Sequence, residues 1–491
     1  MSMRATPVLG GLLLLAGCAV GPSTRVTAPA PHALGARDSV TTPAVRGFLD
    51  SLTQARDQAR PDTAPGTLWR PTPLALDQRS DLPWLEVLRD SQLVALVDTA
   101  LANNRDLRAA IARVREYRAQ LGASRGDLFP QISGNGSYST NQSIFGAFPP
   151  QKFDAVRITA DLSWELDFWG RLRRQTEAAK FDWQGREEDQ RAAVVSLVSS
   201  VVTAYLELRE LDQNLAISEQ TLASRQATLA LARQRFAQGV ISELDVRQFE
   251  ADAAAPAASL ADFARRRAEK EHQLSLLLGR EPGPIPRGNP LDRTVQAVLV
   301  PDSLPGDLLA RRPDVMRAQR DWQAATARIG VAVGNRLPHI SVTGQYGTQR
   351  PDFHKLFGSS AEVYSFGGGI SIPLFTGGRL INQERAARAR ADQARARYEE
   401  AVLSALQEAS DALVGLRLSR DQLAAQETQA QALRRAYALA ELRYQSGVSS
   451  YLEVLDAQRG LFGAELGLVQ VERQYLSATV QLYKALGGGW E

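Results

Sequence analysis

The sequence predicts an α+β membrane protein built from two copies of one unit, each a β-hairpin running into a very long helix. Three observations carry that expectation. Residues 101–279 recur without a gap: Pro130 pairs with Pro338, Gly170-Arg171-Leu172 with Gly378-Arg379-Leu380, and Gly239-Val240 with Gly447-Val448, always 208 positions on (338 − 130). Two segments alternate apolar and polar residues over more than the usual strand length. Two others run for nearly seventy residues without a proline. A period of this size is not that of a solenoid; it is a duplicated half-molecule.

In chain order, Asp90–Arg125 reads as one helix, with Leu93, Leu96, Val97, Ala100 and Leu101 on one face. Phe129-Pro130 ends it, because proline cannot extend a helix. The strand Ala155–Phe168 follows, and its partner is Ile132–Tyr138. From Val156 to Phe168 the apolar residues Val156, Ile158, Leu162 and Trp164 alternate with Arg157, Thr159, Ser163 and Glu165. Tyr364–Leu374 and Ile340–Tyr346 repeat the pair. Gly-, Pro- and Asn-containing loops, Asn141–Pro150 and Thr348–Ser360, close each hairpin.

A half-buried soluble sheet would also alternate in this way. The strand length, the aromatic residues at the ends of the apolar face (Phe129, Tyr138, Phe168, Tyr346, Tyr364, Phe375) and the total of only four strands argue instead for a lipid-facing sheet.

Arg171–Gln238 is the first long helix, about 100 Å at 1.5 Å per residue. Val194, Val201, Leu208, Leu215, Leu222, Leu229 and Phe236 mark every seventh position, and Val402 to Tyr444 repeat the series. That is a coiled-coil spacing. The companion positions are mixed: Leu197, Val198 and Tyr205 are apolar, but Glu219, Gln226 and Arg233 are not. Gly239 and Gly447 stand where a helix-ending glycine belongs. Helices then return over Ser242–Leu278 and Ser450–Leu486. Pro256 is expected to kink the first; position 464, its counterpart, is Ala464.

At the amino terminus, Leu9–Leu15 follows Arg4 and ends in Leu15-Ala16-Gly17-Cys18. This reads as a signal peptide; its end resembles a bacterial lipoprotein signal, which implies cleavage before Cys18 and lipid on its sulfur. Cys18 is the only cysteine. The expected divisions are a signal peptide at 1–17, a Pro- and Ala-rich leader at 18–80, repeats at 81–290 and 311–491, and a linker at 291–310.

Composition narrows the function. The net charge is +3, and opposite charges mix along the helices, so no nucleic-acid surface is expected. His32, His272, His339 and His354 are scattered; no metal site, no cofactor and no enzyme activity are expected. No apolar run long enough for a transmembrane helix appears outside the signal.

Several motifs now converge. Asp127-Leu128-Phe129-Pro130, Trp164-Glu165-Leu166-Asp167 before Gly170-Arg171-Leu172, Arg311-Arg312-Pro313-Asp314, Ile372-Pro373-Leu374-Phe375 and the run Tyr451 to Arg459 closely resemble the TolC/OprM-type outer-membrane efflux lipoproteins. The resemblance covers about residues 80–491. It implies a homotrimer in the outer membrane of a Gram-negative bacterium. Each protomer would give four strands to a twelve-stranded barrel and two helical hairpins to a periplasmic tunnel. It also implies a periplasmic adaptor and an inner-membrane pump of the resistance-nodulation-division type. Four strands cannot close alone. Strand counting leaves eight or twelve open; the resemblance selects twelve.

The resemblance also assigns sites. Gly239, Val240, Ser242, Gly447, Val448 and Ser449 would form the adaptor-contacting tip. Glu453 and Asp456 would form an acidic ring at the tunnel entrance. Tyr444 and Asp245 would make the tyrosine-to-aspartate contact that holds the entrance shut, with Ser449 where some members carry an arginine. The expected function is an exit duct for drugs or other small toxic compounds. The competing readings are the outer component of a protein or polysaccharide secretion system, and a structural lipoprotein.

Overall fold

The computed structural model describes residues 90–143, 151–291, 312–351 and 361–488. Cys18, the leader, the linker and most of both hairpin loops lie outside the described residues. The elements in order are α1 (Ser91–Asn103), α2 (Arg105–Gly126), β1 (Gln131–Ser143), β2 (Gln151–Leu166), α3 (Arg171–Ala237), α4 (Glu243–Leu277), α5 (Pro313–Gly334), β3 (His339–Arg350), β4 (Glu362–Ser371), α6 (Arg379–Gln445) and α7 (Tyr451–Ala485). The chain divides into two compact units.

One unit takes in Ala112–Glu187 and Arg317–Glu399 and holds the sheet. All pairings are antiparallel, in the order β1-β2-β3-β4. The strands are longer than expected at most ends: β1 extends to Ser143 and β3 to Arg350, while β2 stops at Leu166 and β4 at Ser371. The carboxylate of Asp167 explains the end of β2. It accepts from the backbone N–H of Leu172 (3.0 Å) and Arg173 (2.9 Å), and so caps α3 rather than extending the strand.

The alternation is real. Ile132, Tyr138, Ile158, Tyr346, Phe366 and Ile370 are all exposed on one face. On the other, Arg157 donates to Gln345 (2.5 Å), Gln345 donates to Asp161 (2.6 Å), and Asn135 also bonds Asp161. Gly344 exists for Phe366, whose ring lies where a Cβ would sit, 2.7 Å from Cε1. Below the sheet, α5 packs on α6 through Ala325, Ile329, Ala387 and Ala391.

The other unit contains the rest of the long helices. Its core joins Leu93, Leu96 and Val97 of α1 to Val198, Val201, Tyr205 and Leu208 of α3, with Leu274 and Val480. By length and composition, one stretch of α3 could cross a membrane, but more than half of it is buried inside the protein.

Two expectations need correction. The single helix Asp90–Arg125 is two. Asn104 leaves helical geometry (ψ 133°), and its side-chain oxygen accepts from Leu107 N–H at 2.9 Å, starting α2 afresh. The companion line of α3 is also displaced. Val201, Leu208 and Leu215 are buried as expected, but Phe236 is exposed, and the buried companions are Leu211, Ser218, Arg225 and Ala232 rather than the Glu219 series. These keep the seven-residue spacing and stand three residues after the heptad positions instead of four, the a-to-d step of a coiled-coil seam.

The duplication extends to single bonds. Asn104 donates to the carbonyl of Leu277 (2.9 Å), and 208 residues later Arg312 donates to the carbonyl of Ala485 (2.9 Å). Gly279 and Gly487 both take positive φ beside these joints.

Candidate functional site at the helix tips

The two ends where long helices turn back hold nearly all of the predicted site. At the first, Gly239 takes φ +72° and lets Val240 N–H reach back to Arg235 O (2.9 Å). At the second, Gly447 (φ +74°) lets Val448 reach Arg443 O (3.0 Å). A side chain could not adopt this left-handed turn cheaply. Space is not the constraint, because nothing lies within 4 Å of a Cβ built on either glycine. Val240 and Val448 are exposed, an apolar pair presented at the turns. Ser449 differs: its hydroxyl is buried without a hydrogen-bond partner.

Beyond the turns the halves diverge. Ser242 and Asp245 form a capping box: Asp245 N–H donates to Ser242 Oγ, and Ser242 N–H donates to Asp245 Oδ2 at 2.9 Å. The Ser242 hydroxyl, donating at 2.7 Å, and its backbone N–H hold the Asp245 carboxyl below its ordinary range. Ser450, the counterpart of Ser242, makes no side-chain cap. Glu453, the counterpart of Asp245, instead meets Arg443 at 3.1 Å. Asp456 is exposed one turn further along α7.

The tyrosine-to-aspartate contact implied by the resemblance is not made within this protomer. Asp245 and Tyr444 line the same cavity of about 530 Å³, but Asp245 is committed to the capping box. The Tyr444 hydroxyl accepts from Arg235, whose guanidinium also lies 5.6 Å from the ring centroid. Tyr444 packs edge-on against Tyr451 (5.3 Å), which lies tilted against Phe249 (4.1 Å). Burial pushes the Tyr451 hydroxyl well above its ordinary value. Arg235 had not been singled out in the sequence, although its place as the mirror of Arg443 was visible in the repeat.

A sheet with two open edges, one apolar and one polar face, and paired helical hairpins ending in glycine turns is the geometry of an outer-membrane duct, and comparison with known proteins agrees. The model of the family described as "Outer membrane efflux protein" matches residues 96–280 and 304–488, two blocks related by the same offset of 208. The chain belongs to that family. The solvent efflux pump outer membrane protein SrpC of Pseudomonas putida is 36% identical over 422 residues, 84% of this chain and 90% of SrpC. The cation efflux system protein CusC of Escherichia coli K12 is 33% identical over 416 residues, 84% and 90% of the two chains. A crystal structure of CusC superposes with a TM-score of 0.77 at 33% identity, covering 83% of this chain and 94% of that one. The open state of the MtrE outer membrane channel of Neisseria gonorrhoeae gives 0.77 at 31%, covering 83% and 92%.

The fold class is therefore that of the trimeric TolC/OprM-type channels, and the chain is an outer-membrane efflux component. The family is one of transport ducts rather than enzymes.

Proposed function

We propose that three copies of this chain form the exit duct of a tripartite efflux pump, carrying small toxic compounds outward past the outer membrane. The carrying observation is the four-stranded sheet with β1 and β4 as unpaired edges. In lipid, each unpaired backbone group costs several kcal/mol, roughly, so the edges must meet other copies. Three copies give twelve strands, a barrel wide enough for a channel.

A periplasmic adaptor docks at Gly239, Val240, Ser242, Gly447, Val448 and Ser449, and an inner-membrane pump of the resistance-nodulation-division type drives transport. Support comes from the exposed valines and open glycine turns. Glu453 and Asp456 narrow the entrance as an acidic ring, and Tyr444 and Asp245 belong to the same gate. Cys18 carries lipid at the outer membrane, with the helices in the periplasm.

Relatives are named for export of solvents, antibiotics and cations. That breadth on one scaffold favours substrate selection in the pump rather than in the duct. The decisive experiment is planar-bilayer recording of the purified full-length trimer, together with complementation of a strain lacking it. Discrete conductance and restored resistance are expected. A trimer that never conducts would leave a structural lipoprotein as the better reading.

A further inference from the structure

Arg225 of α3 and Asp252 of α4 are both nine-tenths or more buried and meet at 3.2 Å between Nη1 and Oδ1. Such a pair does not by itself stabilise a fold. Two charges taken out of water regain little more than their desolvation cost, and an apolar replacement of similar volume is often as stable.

The repeat supplies an uncharged version of the site. The positions 208 residues on are Leu433 and Gly460, where a Cβ added to the glycine would stand 3.4 Å from Leu433 Cδ2. A third position changes with them. Pro256 lacks the N–H that would bond the carbonyl of Asp252 four residues earlier. Arg225 Nη1 donates to that freed carbonyl at 2.7 Å. The counterpart of Pro256 is Ala464, which leaves no carbonyl free. The first half thus carries proline, aspartate and arginine where the second half has alanine, glycine and leucine.

One ion pair here reaches beyond the α3–α4 hairpin. Arg459 of α7 donates from Nε to Asp252 Oδ1 at 2.9 Å, and its own counterpart is Ala251. One buried carboxylate therefore holds a guanidinium from its own hairpin and one from the other half. Beside it, Gln458 of α7 reaches Ser224 of α3 (3.4 Å), and the face of Phe462 covers Arg225 at 5.5 Å.

We infer that Asp252 fastens α7 to the first hairpin, with Arg225 and Pro256 as positioning residues that hold its carboxylate toward Arg459, and that this fastening keeps the duct at low resting conductance. It rests on the duct reading and places the cross-hairpin ion pair away from Asp245, whose Oδ2 is held in the capping box. Arg225 cannot release Asp252 without leaving two buried charges unpaired, so the carboxylate stays in place when Arg459 lets go. The bond to Arg459, half-exposed on α7, is the one that can break.

Single-channel recording of full-length trimers tests this with two variants. Arg459→Leu removes the cross-hairpin ion pair and spares the contacts of Gln458 and Phe462. Arg225→Leu with Asp252→Gly and Pro256→Ala grafts the second half's own packing into the first and also strips Arg459 of its partner. Both should assemble as trimers and show severalfold higher resting conductance than wild type. Wild-type conductance in Arg459→Leu overturns the inference, and that variant decides alone if the graft fails to assemble. A graft that loses assembly while Arg459→Leu conducts like wild type would assign the cluster to packing only. A wild-type trimer that conducts while Arg459→Leu matches it sinks the fastening alone; a wild type silent at every voltage sinks the duct, and the fastening with it.

Discussion

Arg312 donates from Nη1 to the carbonyl oxygen of Ala485 at 2.9 Å, closing the end of α7 onto the start of the second half. The same guanidinium forks onto Asp314 (3.0 and 2.7 Å) and reaches Glu408 at 2.5 Å. Burial pushes the Asp314 carboxyl up, but hydrogen bonds from Arg312 outweigh it and hold the group below its ordinary range. The equivalent joint in the first half is made by Asn104 and Leu277 with no charge at all.

Arg312→Ala should therefore destabilise the helical unit by about 1–3 kcal/mol, because it leaves the Ala485 carbonyl without its donor. Arg312→Asn should recover part of that loss, since the first half makes the same closure with an asparagine. Thermal unfolding of the two variants beside wild type measures the difference. Equal losses would mean that the carboxylates, not the carbonyl, are what Arg312 holds.

How much of this was legible in advance differs by element. Period-two alternation placed β1–β4, and the offset of 208 placed both glycine turns. The break at Asn104 was missed because periodicity runs on through it; the signal was local, an asparagine whose side chain can start a new helix. The partners of Asp245 and Tyr444 were not legible either. Sequence spacing puts Arg235, Arg443, Asp245 and Glu453 at equivalent positions, but not which guanidinium takes which acceptor. That choice follows from Tyr444 standing where the first half has Phe236.

Charge on the apolar face of the sheet should be far costlier than charge on the polar face. Ile158→Arg near the midplane should cost about 2–4 kcal/mol. Ser163→Arg, exposed on the opposite face, should be close to neutral. Thr159 would be a poor control despite its polarity, because its Cα lies 2.7 Å from where a Cβ on Gly347 would stand. Yield of folded barrel in detergent distinguishes the variants, and equal yields would contradict the assignment of faces.

The lipid anchor makes a separate expectation. Cys18→Ser should leave intrinsic channel formation in bilayers unchanged and impair sorting or assembly in cells, since β1–β4 do not depend on it. Mass spectrometry of the mature protein should find the acylated residue. An unmodified Cys18 would remove the anchor.

The capping box gives a pH dependence with a defined sign. Asp245 has its carboxyl lowered from an ordinary value of 3.8, first by the Ser242 hydroxyl and then by its backbone N–H. A depressed folded-state value adds stability that is present above the unfolded value and is lost as pH falls through the folded one. The start of α4 should thus stay ordered at neutral pH and fray in acid below the ordinary carboxylate range. Asp245→Asn should flatten that acid transition. Hydrogen exchange at α4 residues across pH would show it, and an unchanged profile in Asp245→Asn would place the acid-sensitive group elsewhere.

The acidic ring and the tyrosine can be separated by which property of the channel each moves. Glu453 is paired with Arg443 and Asp456 is exposed one turn on, so a trimer would gather both carboxylates from each copy around one axis. Like charges crowded together attract cations. Glu453→Ala with Asp456→Ala should shift the reversal potential toward neutrality and relieve block by multivalent cations. Tyr444→Phe removes only the acceptor of Arg235, keeping the edge-on packing against Tyr451. It should raise resting conductance with little change in ion preference. The structure alters one expectation here: Asp245→Ala, which severs a cap rather than a bond to Tyr444, should not act like Tyr444→Phe. Recordings in which the two behaved identically would show that Asp245 and Tyr444 meet in the assembled channel after all, and that the capping box gives way to that contact.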